Sequence, residues 1–183
     1  GYSYAFKQYN MYSKIEKIIY ELLNNSNEQI VFRPHPLDLT KKGDIKKIKS
    51  IIFRFKKYKN FTYDLSVSYL KSYKESKILI TDLSSTAYTY AFSNKKPVIF
   101  FSKNENKLQN DYFSSLNYFK DRTKIGFVVS NVKNILNVIK KMKLSKSKLK
   151  RKIIKLRKER ILYLGKSVKK TSKEIDAINT IKV

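Results

Sequence analysis

Five short apolar runs punctuate the chain, and patterns of helical period fill most of the space between them. The runs are Ile30 to Phe32 in "EQIVFRPHP", then "FTYDL" at 61–65, "KILIT" at 77–81, "VIFF" at 98–101 and "IGFVVS" at 125–130. Each is short, and apart from "FTYDL" none shows strict apolar–polar alternation. Strands covered on both faces have that composition. Over 11–25, Ile15, Ile18, Ile19, Leu22 and Leu23 share one helical face, with Ser13 placed to cap it. Over 43–58, Ile45, Ile48, Ile52 and Phe55 do the same. A helix over 66–76 turns Val67, Leu70 and Tyr73 inward, and one over 84–93 offers Ala87, Tyr88, Ala91 and Phe92 for packing. "NVKNILNVIKKM" is an amphipathic helix started by Asn131, and 102–120 is a loop with a helical piece. Strand and helix in alternation imply an α/β fold: a Rossmann-like domain over 1–143 with one mostly parallel sheet of about five strands, helices on both faces. A basic, mostly helical segment follows over 144–183. No internal repeat or Gly/Ser linker divides the chain.

With 183 residues the chain can bury a core of ordinary domain size. It begins at Gly1 rather than Met and is expected to be a piece of a longer protein. It contains no Cys, which excludes disulfides and thiolate metal sites and fits a cytoplasmic, reducing setting. No apolar run approaches the ~20 residues of a membrane span, and no signal peptide is visible in the first twenty residues. The net charge of +27 attracts polyanions, whether nucleic acid, anionic lipid or anionic polymer. High Lys, Ile, Asn and Tyr together also occur in proteins of AT-rich genomes, so charge alone names no partner. No RRM, KH, zinc-finger or helix-turn-helix pattern supports a nucleic-acid module.

In open parallel sheets, ligands bind beyond the carboxyl ends of the strands. Two segments fall there. "TDLSST" at 81–86 lies between a strand and a helix, where backbone amides lack internal partners and the helix dipole is positive. Ser84, Ser85 and Thr86 add hydroxyls, a combination that binds phosphate. Without glycine this is neither a Walker loop nor a dinucleotide fingerprint, and simple helix capping is the plain alternative. Asp82 would repel phosphate, so it orients a hydroxyl or shapes the loop. "RPHP" at 33–36 carries His35, the only histidine, between two prolines. Imidazole serves as acid, base or cation near neutral pH, and Arg33 can fork onto a phosphate. A lone His is more often structural, but this one follows a strand at the ligand edge. No second His and no carboxylate cluster offers a metal site, and no cofactor is implied. A Ser-His-Asp hydrolase is weakened by the absence of a "GxSxG" elbow.

Taken as a pair, "VFRPHP" and "ILITDLSSTAYTYAFSNKKPVIFF" resemble the CDP-glycerol glycerophosphotransferase family, the teichoic-acid polymerases and primases, over roughly 29–129. The resemblance implies the C-terminal, donor-binding half of a two-domain GT-B fold, with the N-terminal domain, which supplies another catalytic histidine, outside this chain. It implies that His35 lies by the diphosphate of a CDP-linked donor. Ser84, Ser85 and Thr86 would then hold phosphate, with Asp82 shaping the loop. An acceptor hydroxyl would attack the β-phosphorus and CMP would leave. After the Lys-Pro strand, family members usually carry an aromatic-rich segment with Asp and Tyr. Here "FFSKNENKLQNDYF" stands there, and Glu105 is the acidic residue expected at the ribose hydroxyls. Gly126 fits a glycine expected further on. The donor stays open between CDP-glycerol, CDP-ribitol and a nucleotide sugar, so a GT-B glycosyltransferase of capsule or lipopolysaccharide synthesis is the second reading. The implied acceptor is an anionic polymer or a lipid-linked molecule. The piece is expected to bind donor without turnover. The basic segment "KKMKLSKSKLKRKIIKLRKER" either packs back on the protein or lies on anionic lipid at the inner face of the cell membrane.

Overall fold

The computed structural model describes residues 11–161 and 163–180, apart from the side chains of 112, 113 and 178–180. In chain order the elements are α1 (Ile15–Asn25), β1 (Ile30–Phe32), a 3-10 turn (Pro36–Leu39), α2 (Lys42–Phe55), β2 (Phe61–Tyr63), α3 (Leu70–Glu75), β3 (Leu79–Thr81), α4 (Thr86–Asn94) and β4 (Val98–Phe101). Then come α5 (Glu105–Gln109), a second 3-10 turn (Tyr112–Ser115), α6 (Asn117–Lys120), α7 (Arg122–Ile125), β5 (Gly126–Val129), a third 3-10 turn (Val132–Asn134), α8 (Ile135–Leu144), α9 (Lys146–Arg160) and α10 (Ser167–Thr180).

All five expected strands form and all pairings are parallel, but they make two sheets rather than one. β1 pairs with β2, and β3–β4–β5 form a separate three-stranded sheet. Strands of three or four residues offer few ladder bonds, and what joins β1 to the second sheet is side-chain packing. Ile30 packs against both adjoining core clusters, and α1 straddles them. Its Ile18 and Leu22 go to the cluster around Ile99, Phe101 and Ile135, its Ile19 and Leu23 to the one around Phe32, Ile51 and Phe55. β4 is the centre of the larger sheet and is buried along its whole length, so its unbroken "VIFF" needs no polar face.

Gly126 explains itself at the β4–β5 pairing, opposite Val98. A Cβ there would sit 1.7 Å from the Val98 carbonyl oxygen. Asn131 starts the α8 region as expected, its side chain accepting from the Lys133 amide at 3.0 Å. Three local expectations fail. Lys14, not Ser13, precedes α1, with no side-chain cap. On α3 only Tyr73 is buried, while Val67 and Leu70 are 88% and 68% exposed, because α3 begins at Leu70 and is too short to bury a full face. On α4 it is Tyr90, with Ala87 and Ala91, that is fully buried; Tyr88 and Phe92 are half-buried at the edge of that cluster.

The basic C-terminal segment divides. Leu149, Ile153 and Leu156 of α9 are buried in the same two clusters as the larger sheet. The described side chains of α10 are exposed. Among the described residues no helix is long and apolar enough to cross a membrane.

Candidate functional site

β1 ends at Phe32, and the next three residues carry the expected chemistry. His35 is exposed, not walled into the interior. It precedes the 3-10 turn, and its Nδ1 accepts from the Leu37 amide at 3.2 Å. With Nδ1 an acceptor, the neutral ring carries its proton on Nε2. Asp38 lies close by, its carboxyl pushed up by burial, an effect that a positive charge on the His35 ring would partly offset. Arg33 points elsewhere. Its Nη1 pairs with Asp64 and donates to Ser66 Oγ at 3.3 Å, and its Nη2 donates to the carbonyls of Ser66 (2.7 Å) and Val67 (3.2 Å). The fork expected to meet a phosphate grips the loop after β2.

Asp64 is the hub of that loop. It accepts from the Ser66 amide (2.9 Å), the Ser66 hydroxyl (2.5 Å), the Ser72 hydroxyl and Arg33. Burial raises the Asp64 carboxyl, but these donors outweigh it and hold the group well below the usual carboxylate range. Ser72 is on α3, so the hub reaches from the end of β1 to the helix that follows β2. The next residue, Tyr73, continues the path: its hydroxyl is hydrogen-bonded to the Thr86 hydroxyl at the start of α4. Burial pushes the Tyr73 phenol up, while Thr86 and the nearby Arg33 charge act the other way.

At the start of α4 the three hydroxyls are therefore not equivalent. Thr86 is engaged by Tyr73. Ser85 is the N-cap residue, exposed, and makes no capping side-chain bond. Ser84 is half-buried. The first amides bonded back along this turn are those of Ala87 and Tyr88, to the carbonyls of Ser84 and Ser85. The amides of 84–86 precede them, at the positive end of the helix. Asp82 is 2% exposed and accepts from the Met11 amide at 3.1 Å. It anchors the segment leading into α1, whose Tyr12 in turn donates to Asp44 (3.0 Å) and accepts from Lys47 (2.9 Å) on α2.

Glu105 opens α5, just beyond β4. Both its oxygens face Arg122, at 3.2 and 2.7 Å, and Gln109 donates to it at 2.5 Å. The buried Ser102 hydroxyl lies beside it without closing a well-formed hydrogen bond. Burial raises Glu105, yet these neighbours hold its carboxyl below the usual range. Arg122 is 1% exposed, stacks near Phe119 and Phe100, and donates to the Phe119 carbonyl. Next to it, buried Asp121 takes Arg160 of α9 and Lys124.

Thus Arg33 and Thr86 are joined through Asp64 and α3, while Asp82 and Glu105 are fixed by partners of their own. Asp64, Tyr73 and Arg122 carry much of this geometry and were not among the expected site residues. One signal for Asp64 was available: it stands just past β2 as Arg33 stands just past β1, in an Asp-x-Ser turn. Among the described residues no cluster of His, Asp and Glu could hold a metal ion. The arrangement offers hydrogen-bond donors and an imidazole to an anion.

Comparison with known proteins agrees with the motif pair. Residues 2–171 match the family described as CDP-Glycerol:Poly(glycerophosphate) glycerophosphotransferase. Over 123 residues the chain is 32% identical to the Minor teichoic acid biosynthesis protein GgaB of Bacillus subtilis (strain 168), covering 67% of this chain and 12% of that protein. The chain thus spans about an eighth of that relative's length. No solved structure matches. A family match over residues 2–171, most of its length, makes the chain a member of the CDP-glycerol:poly(glycerophosphate) glycerophosphotransferase family.

Proposed function

We propose that this chain is the donor-binding half of a glycerophosphate transferase, its CDP-linked donor seated between the His35 turn and the α4 N-terminus. Ser84, Ser85 and the amides of 84–86 bind the diphosphate, and His35 donates a proton or positive charge to it. An acceptor hydroxyl attacks the β-phosphorus. The bond from that phosphorus to the bridging oxygen breaks, CMP leaves, and the hydroxyl proton passes to a base on the partner domain of a GT-B pair. Asp82 supports the loop from beneath. We assign Glu105 to holding α5 through Arg122 rather than to the ribose.

One observation carries the reading within a chain of this family: Ser85 caps α4 in position but not by its side chain, which leaves the hydroxyl turned to other use. Titration of the chain with CDP-glycerol, CDP-ribitol and UDP-glucose tests it. Heat of binding with a CDP-linked donor, lost in Ser84→Ala/Ser85→Ala, is expected. Preference for UDP-glucose would transfer the site to a sugar transferase, and no binding of any of the three would end the reading. Transfer needs the partner domain, so turnover by this chain alone would also contradict it.

The acceptor side is proposed from charge. Residues 122–158 contain 14 Lys and Arg and no Asp or Glu. Because the apolar side of α9 is buried, Lys148, Lys152 and Lys155 are left on the exposed side. Such a face suits a polyanionic acceptor or the anionic inner face of the cell membrane. Co-sedimentation with anionic and neutral vesicles at low and high salt distinguishes contact with lipid from none.

A further inference from the structure

A diphosphate held from two sides requires the two sides to keep their spacing. His35 comes from the end of β1 and Ser84–Ser85 from the end of β3, and these strands belong to different sheets. No ladder hydrogen bond fixes one against the other. The polar path described above spans the gap. Arg33, two residues before His35, is gripped by Asp64 and the 66–67 carbonyls. Asp64 takes Ser72, and Tyr73 takes Thr86, one residue after Ser85. The short helix carrying Ser72 and Tyr73 is held at its far end as well. Lys96 donates to the carbonyls of Lys74 (2.6 Å) and Ser76 (2.7 Å). The Tyr73 ring is clamped between Tyr69 and Tyr90, at centroid distances of 4.8 and 5.2 Å.

We propose that α3 is a strut: Asp64 and Tyr73 are positioning residues that set the distance between His35 and the Ser84–Ser85 loop. The same reasoning moves Thr86 from the phosphate ligands to the strut. This inference rests on the proposed donor site and assigns no contact between Asp64 or Tyr73 and the donor.

His35 is the only histidine, so its imidazole resonances report one ring without overlap. In the wild-type chain, adding CDP-glycerol is expected to shift those resonances. In Asp64→Asn and in Tyr73→Phe, the shift at saturating donor is expected to fall to less than half, although the chains stay folded. Donor affinity is expected to weaken about fivefold in Tyr73→Phe, as for one neutral hydrogen bond. Thr86→Val should match Tyr73→Phe, Thr86→Ser should stay near wild type, and Tyr73→Phe/Thr86→Val should be no worse than either single change. A residue that merely stabilises the fold would lower the melting temperature and leave the saturated His35 shift unchanged. Full-sized shifts in Asp64→Asn and Tyr73→Phe would overturn the strut while leaving the donor site intact. A Thr86→Val loss that multiplies with that of Tyr73→Phe would return Thr86 to the ligands and overturn its reassignment. Absence of any shift in the wild-type chain would refute the donor site itself.

Discussion

Replacing Arg122 by Met tests the most buried charge among the described residues. Arg122 is 1% exposed, donates to both oxygens of Glu105 and to the Phe119 carbonyl, and lies near two phenyl rings. Methionine keeps much of the packing and removes all three donors. Glu105 then keeps Gln109 as its principal donor, while its own side chain is only 17% exposed. Breaking a buried pair costs about 3–5 kcal/mol because the remaining charge stays buried without compensation. Partial water access to Glu105 sets the expectation at the lower end, about 3 kcal/mol. In a domain of this size that lowers the melting temperature by roughly 6–12 °C. Urea unfolding of wild type, Arg122→Met, Glu105→Gln and the double variant measures it. The double variant should recover part of the loss, because no carboxylate is stranded. Glu105→Gln alone should leave donor affinity within about twofold if its task is to hold α5. A loss below about 1 kcal/mol in Arg122→Met, or a double variant no better than Arg122→Met, would refute the reasoning.

Ser85→Ala should weaken CDP-donor binding about tenfold or more, as for a hydrogen bond to a charged group, with little change in the urea midpoint, since Ser85 makes no capping bond. Equal affinity by calorimetry would remove Ser85 from the site. Gly126→Ala should prevent the β4–β5 pairing, because the new methyl would meet the Val98 carbonyl at 1.7 Å; a cooperative melt near the wild-type temperature would contradict this. The carboxyls of Asp64, Glu105 and Asp121 are each held below their ordinary range despite burial. As pH falls, the unfolded chain therefore takes up protons before the folded one. Their stabilisation is complete above roughly pH 5 and is lost as pH drops through the lowered folded values. Urea midpoints at pH 7 and at about pH 3.5 should show that loss, and Asp64→Asn should show less of it.

Much of the fold was legible because it is written in local apolar patterns. Each of the five strands is a short apolar or β-prone run, and β4, buried along its whole length, is the clearest of them; most of the helices between them follow the 3.6-residue period. The division into two sheets was not legible. It depends on β1 and β3 failing to pair, which neither strand's composition reveals. The same limit explains α3. A six-residue helix has too few turns for a periodic signal, and its one buried side chain, Tyr73, is fixed by a hydroxyl contact thirteen residues away.

The candidate site shows where sequence patterns stop being informative. His35 and the Ser-Ser-Thr loop were identifiable by residue type and by position after a strand. Arg33 was equally suggestive, yet its guanidinium pairs with an aspartate thirty-one residues on. A cation beside a histidine can face a ligand or fasten the loop that carries it, and the two alternatives have identical local sequence. The partner decides. Asp64 holds donors from the loop just past β1, its own loop and α3 at once, so its carboxylate is already saturated with hydrogen bonds. Moving Arg33 to a phosphate would leave the half-buried Asp64 without its cation and free three acceptors on the loop after β2. The donor would have to repay that loss before gaining anything from the fork. Serines with no such prior engagement need no exchange of partners to bind it, which is the physical reason to place the anion at Ser84 and Ser85 and to leave Arg33 where it is.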